Sequence, residues 1–152
     1  MKTAQIGAAG VLLLQYRLLK CGIDSSAMTT DDGIDVVAYS PQLRDAVTIQ
    51  VKSVLAPKKA GGRGKLTLDW WLRHNSPAQL VALCDLSTDR IWIFRHEEYL
   101  ATAQQNSSGR AHLYFYIDVT AKVPERSKES FFDQFLIDRR TSELFSSPDV
   151  FA

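Results

Sequence analysis

The chain is poor in the features that announce a function. Its 152 residues hold two cysteines, Cys21 and Cys84, far apart and each in an apolar run. That excludes a disulfide framework and a cysteine zinc site, and reads as two buried thiols in a reducing, cytoplasmic compartment. No stretch approaches the ~18 apolar residues that span a bilayer. Ile6 to Leu14 is apolar behind Lys2, but Gln15, Arg17 and Lys20 follow at helical spacing and no small-residue cleavage site appears. This segment is expected to be a mature amphipathic helix, not a leader. Charge of one sign is also lacking: 18 Lys and Arg against 17 Asp and Glu leave +1. Any nucleic-acid partner must therefore be argued from local patches, and no membrane partner is indicated. There is no repeat, phosphate-binding glycine motif, nucleophile elbow or dinucleotide fingerprint. His74, His96 and His112 share no metal-ligand spacing and read as surface or strand-end residues.

What is there describes a globular chain, 45% hydrophobic and 23% charged. It has the size of one domain, 1–152, since single cores serve about 100–150 residues. Residues 4–21 read as a helix with Ile6, Val11, Leu14, Leu18 and Leu19 on one broad face and Gly22 as its stop. Residues 23–33 are small and polar and read as a loop. Ile34–Tyr39 and Ala46–Val54 read as a hairpin, and 55–65 as a mobile basic loop. An irregular Trp70-Trp71 segment precedes strands at Gln79–Asp85 and Arg90–Phe94. His96–Gln104 reads as a short helix, Asn106–Gly109 as a loop and His112–Ile117 as a strand. Ser130–Phe145 reads as a final amphipathic helix with Phe131, Phe135, Leu136 and Leu144 inward. This order predicts an α/β fold, a central mixed sheet flanked by helices on both faces.

The second predicted strand departs from the continuous apolar run that a doubly covered sheet favours. Val47, Ile49 and Val51 alternate with Thr48, Gln50 and Lys52, so the two sets point to opposite faces. Asp35 begins the opposing strand. A lysine, a glutamine and an aspartate then converge on one side of a hairpin, and buried charges are paired, coordinated or functional. A structural Asp35–Lys52 salt bridge or a wet hairpin face accounts for this spacing equally well.

Gly33-Ile34-Asp35, fourteen intervening residues, then Gln50-Val51-Lys52-Ser53 resembles the PD-(D/E)XK nuclease superfamily, the restriction-endonuclease-like fold. It looks most like the branch with Gln in place of the second acid. The preceding helix and the following strands extend the resemblance over residues 4–95. It implies a metal-dependent endonuclease hydrolysing DNA phosphodiester bonds with Mg²⁺, Mn²⁺ as a substitute, and a possible homodimer to cut both strands. By similarity Asp35 is the principal metal ligand, with the Gln50 amide carbonyl and the Val51 backbone carbonyl completing the set. Lys52 positions or deprotonates the attacking water and stabilises charge on phosphorus. Many members add a glutamate from the first helix, just after a glycine like Gly7. Here Ala8 stands there and no acid occurs before Asp24. Asp31 and Asp32 are the nearest substitutes. A catalytically silent nuclease-like module that binds nucleic acid or a protein is the competing expectation.

Two further features bear on nucleic acid. Lys52, Lys58, Lys59, Arg63 and Lys65 form a basic stretch with no acid, and glycines at 61, 62 and 64 let Lys58, Lys59, Arg63 and Lys65 wrap a phosphate backbone. Trp70-Trp71 either stacks on bases or, more often for such pairs, puts one ring in the core and one over a loop. Arg139-Arg140 reads as a solvated face.

Overall fold

A computed structural model of the chain describes residues 1–30 and 32–146. Helix α1 (Thr3–Lys20) starts where the Gln5 side chain accepts the Lys2 N–H at 2.8 Å, satisfying one orphan donor. It stops at Gly22, whose φ of +76° admits the left-handed turn that brings the Ile23 N–H back to the Leu18 carbonyl at 2.9 Å. Arg17 and Lys20 in its last turn suit the negative end of the helix dipole. Among the described residues no helix is long and apolar enough to cross a membrane.

Two sheets follow. Strands β1 (Asp24–Ala27), β2 (Val36–Ser40) and β3 (Asp45–Val54) form an antiparallel meander, with β1 pairing β2 and β2 pairing β3. β6 (Leu80–Asp85) then lies parallel to β3, and β7 (Arg90–Arg95) antiparallel to β6, giving the order β1-β2-β3-β6-β7. A second sheet has the order β4-β5-β9-β8, from β4 (Lys58–Lys59), β5 (Leu66–Arg73), β8 (Gln105–Ser107) and β9 (Arg110–Tyr116). Short helices α2 (His96–Thr102) and α3 (Glu129–Phe132) and the longer α4 (Ile137–Ser146) complete the α/β domain.

β6 is buried at every position because both faces of the central sheet are covered there. One face carries Val36, Ala38, Val47, Ile49, Leu80, Ala82, Cys84, Ile91 and Ile93 against Leu14 and Leu18 of α1 and Leu144 and Phe145 of α4. The other carries Val81, Leu83, Trp92 and Phe94 against Leu68, Trp70, Leu72, Leu113 and Phe115 of the second sheet, with Tyr99, Phe132 and Phe135. α1 reaches the sheet through Gly10. A Cβ there would sit 1.7 Å from Ser53 Oγ and 2.9 Å from Ser53 Cβ.

The expected mixed sheet flanked by helices is present, but a second sheet, not helices alone, covers its other face. Parallel strands normally need a helical crossover; here β4 and β5 make the crossing from β3 to β6. Trp70-Trp71 is accordingly not irregular. Leu68, Trp70 and Leu72 face the core while Asp69, Trp71 and Arg73 face out, the alternation of a half-wet strand. Residues 24–27 are a polar edge strand inside the expected loop. Residues 58–62 form a two-residue strand and a tight 3₁₀ turn, closed by the Ala60 N–H on Lys65 O at 2.9 Å.

The last helix is broken. A 3₁₀ turn over Asp133–Phe135 and extended Leu136, which bridges to Trp92, separate α3 from α4. Arg140 is buried, not solvated: it binds Glu98 through two oxygens at 2.9 and 3.0 Å and the Ile93 carbonyl at 3.2 Å. Cys84 is buried as expected, but Cys21 is exposed at the end of α1.

Candidate active site

β3 positions the site. Val47 and Ile49 are buried beneath α1, with Val51 partly buried beside them, while Thr48, Gln50 and Lys52 face the opposite way, as the alternation requires. Asp35, just before β2, is fixed to β3 on both sides of Gln50. Its N–H donates to the Ile49 carbonyl at 2.9 Å, and its Oδ2 accepts the Val51 N–H at 2.7 Å. Residues fifteen apart in sequence thus meet because the antiparallel register of β2 and β3 brings them side by side.

Two clefts meet at Gln50 and Lys52. The smaller, of about 350 Å³, has Asp35, Gln50, Val51 and Lys52 on one wall and Ala4, Gly7, Ala8 and Val11 of α1 on the other. Nothing lies within 4 Å of where a Gly7 Cβ would be, so the small residues of α1 leave this space open. The larger, of about 560 Å³, adds Asp32, Gly33, Arg73, Asn75, Ser76 and Pro77. Gly33 shapes it: with φ of +89°, and 2.8 Å between a Cβ there and Pro77 Cδ, only glycine lets the turn before Asp35 close against the β5–β6 loop. Ser76 Oγ donates to Gln50 Oε1 at 2.5 Å and orients the amide.

The fold brings together Asp35, Gln50, Val51 and Lys52. Lys52 makes no ion pair among the described residues, so the Asp35–Lys52 salt bridge does not form and the ammonium is available to an anion. Asp32 lines the larger cleft and is exposed; Asp31 lies outside the described residues. Among the described residues no group of three or more His, Cys, Asp or Glu side chains is placed to hold a metal ion. The donors that could hold a metal are one carboxylate, the Gln50 amide oxygen and a backbone carbonyl. Gln50 Oε1 keeps a lone pair beyond the one facing Ser76. An all-oxygen set of this kind fits a hard cation that retains waters and completes its shell with phosphate.

Lys58, Lys59, Arg63 and Lys65 are not brought to either cleft. They are exposed at the far end of the second sheet, where Lys65 lies 3.8 Å from Asp118 and Lys58 and Lys59 line a groove over that sheet's outer face. Arg73, Asn75 and Ser76 were not recognisable as site residues. The signal was a polar run between two strands, hidden while β5 read as irregular. Buried Asp85 is no candidate ligand, because Ser87 and Thr88 use its carboxylate to close the β6–β7 turn at 2.6–3.0 Å. Trp70 is 3% exposed and Trp71 37%, one in the core and one on the outer sheet face.

No protein-family model and no curated protein matches the chain. Among solved structures, the bacterial homing endonuclease I-Ssp6803I aligns over 86% of this chain and 91% of its own, with TM-score 0.55 and 16% identity. MepB aligns over 90% and 96% with TM-score 0.36 and 9% identity, too low to carry an argument. The chain therefore shares its α/β fold with a homing endonuclease.

Proposed function

We propose that this protein is a metal-dependent endonuclease that hydrolyses phosphodiester bonds of DNA, with Asp35, Gln50 and Lys52 as its catalytic set. The observation that carries the reading is their convergence on one cleft wall, Asp35 pinned to β3 across Gln50 and Lys52 left without a carboxylate partner. Asp35, the Gln50 amide oxygen and the Val51 carbonyl would hold Mg²⁺ or Mn²⁺. Such a cation neutralises phosphate oxygens and lowers the pKa of a bound water. Lys52 orients the attacking water and offsets the charge that grows on phosphorus. Arg73, at the rim of the larger cleft, is placed to bind an adjacent phosphate. A homodimer would supply one such site to each strand of a duplex.

One observation favours a second reading, a catalytically silent module that binds nucleic acid. The α1 wall facing Asp35 is Ala4, Gly7 and Ala8, so the cleft offers one carboxylate where two would hold Mg²⁺ more firmly.

Nicking of supercoiled plasmid with Mg²⁺ or Mn²⁺ separates the two. Metal-dependent nicking that falls at least ~100-fold in both Asp35→Ala and Lys52→Ala supports the enzyme. Nicking unaffected by both substitutions overturns this site. Plasmid binding without nicking in either metal selects the silent module.

A further inference from the structure

The second sheet has a dry face and a wet one, and the wet face is unusual. Leu68, Trp70, Leu72, Leu113 and Phe115 fill the core, while across β5 and β9 the outer face presents Trp71, His112, Tyr114 and Tyr116. Trp71 and His112 are direct cross-strand partners and their rings stack, 4.2 Å apart and 1° from parallel. The imidazole is held at both nitrogens, Nε2 lying 2.7 Å from Asp69 Oδ2 and Nδ1 3.1 Å from Gln105 Oε1. One face of the Trp71 indole is thus covered by a fixed ring. On its other side no strand pairs alongside among the described residues, because β4 pairs only with Leu66 and Thr67. Half of an aromatic stack is built, and Trp71 keeps 37% of its surface exposed to solvent.

Charge surrounds that position. One step along the same face, Arg73 lies directly opposite Arg110. Like charges so placed repel, yet neither guanidinium has an ion-pair partner among the described residues, and both line one cleft of about 460 Å³. At the other end, Lys58 and Lys59 border the groove over His112, Tyr114 and Tyr116. Same-face residues on a strand repeat every ~7 Å, so the row from Thr67 through Trp71 to Arg73 runs ~20 Å. It ends at the candidate active site, since Arg73 lines the cleft that holds Gln50 and Lys52.

We propose that this outer face is a platform for an unpaired stretch of nucleic acid, with Trp71 stacking on a base, Arg73 and Arg110 holding a phosphate, and the strand led from there into the catalytic cleft. Trp71 needs the flat face of a base; a stacked duplex buries those faces and offers only edges. The proposal rests on the endonuclease reading only for what happens at the cleft's end, and names its substrate class as DNA with a single-stranded segment.

The test is binding without cleavage, by anisotropy of a labelled single-stranded 20-mer and of its duplex, in EDTA at low salt, with the full chain carrying Lys52→Ala. The single strand is expected to bind tighter than the duplex and to quench tryptophan emission. Trp71→Ala should weaken it by about 5- to 150-fold, the range that base–aromatic stacking covers. Trp71→Phe should restore most of the loss, and Arg73→Gln with Arg110→Gln should flatten the salt dependence. Equal or tighter duplex binding, or a Trp71→Ala chain that is folded by circular dichroism and binds unchanged, overturns the platform. A Trp71→Ala substitution that changes oligomeric state and not DNA affinity makes the face a protein interface, which also overturns it. Because EDTA removes metal chemistry, failure here is distinct from failure of plasmid nicking.

Discussion

The two faces of the central sheet are packed by different chemistry. Toward α1 and α4 the core is aliphatic apart from Phe145 and includes small residues, Ala38, Ala82 and Cys84, with Gly10 letting helix backbone approach Ser53. Toward the second sheet it is aromatic: Trp70 lies 5.7 Å from Trp92, which makes an edge contact with Phe115 at 5.1 Å, while Phe94 stacks on Phe135 at 4.3 Å. The first face is a close approach and the second a filled gap, and β3 runs between them. Its site residues Gln50 and Lys52 lie within the strand on the face turned from α1, half-buried, where they line the larger cleft. The contrast teaches why Gln50 and Lys52 can be polar on the strand that also buries Val47 and Ile49.

The comparison breaks most sharply on β7, where Trp92 and Ile93 point to opposite faces. Trp92→Ala opens a large aromatic cavity and should cost about 3–5 kcal/mol, against about 0.5–1.5 for Ile93→Val on the close-packed side. Urea unfolding of both variants checks it; equal losses would mean that the two faces are not packed differently. The close approach itself is tested at α1. Gly10→Ala should cost about 1–3 kcal/mol by overpacking, part of it recovered by adding Ser53→Gly. Gly7→Ala, with open space at its Cβ and an exposed helical position, should instead gain up to ~1 kcal/mol.

The smallest effect is a pH limb from the aliphatic face. Burial pushes the Cys84 thiol from 9.0 up to about 12, opposed by a Ser53 hydrogen bond. The unfolded thiol ionises first, so its contribution is complete below about pH 9 and is lost as pH rises toward about 12. Burial also raises the Tyr99 phenol, on the aromatic face, and extends the same loss to higher pH. Between pH 8 and 10 the decline should be ~1 kcal/mol, and Cys84→Ala should flatten it; an unchanged slope in that variant would assign the limb elsewhere.

Elements with a strong period or a sharp stop were legible: α1 stopped by Gly22, the β2–β3 hairpin, and β6 and β7 with their apolar runs over residues 80–84 and 91–94. β5 was not, because adjacent tryptophans conceal a period-two pattern whose outward members are an aspartate, an indole and an arginine. β1 was missed because a polar edge strand has no apolar signal. The break at Leu136 is a tertiary event, a backbone bridge to Trp92 that overrides a continuous amphipathic pattern.

The chain's own residues determined the α/β class, the alternation that turns Gln50 and Lys52 away from the α1 core, and the pairing of Asp35 with that strand. These follow from local periodicity and a short hairpin, which need no distant partner. Only the tertiary structure decided that the crossover from β3 to β6 is a second sheet, that Ser76 orients Gln50, and that Arg73 and Trp71 face outward on a line toward the cleft. Those relations join residues from separate strands and loops, and nothing in local spacing specifies which surfaces will meet.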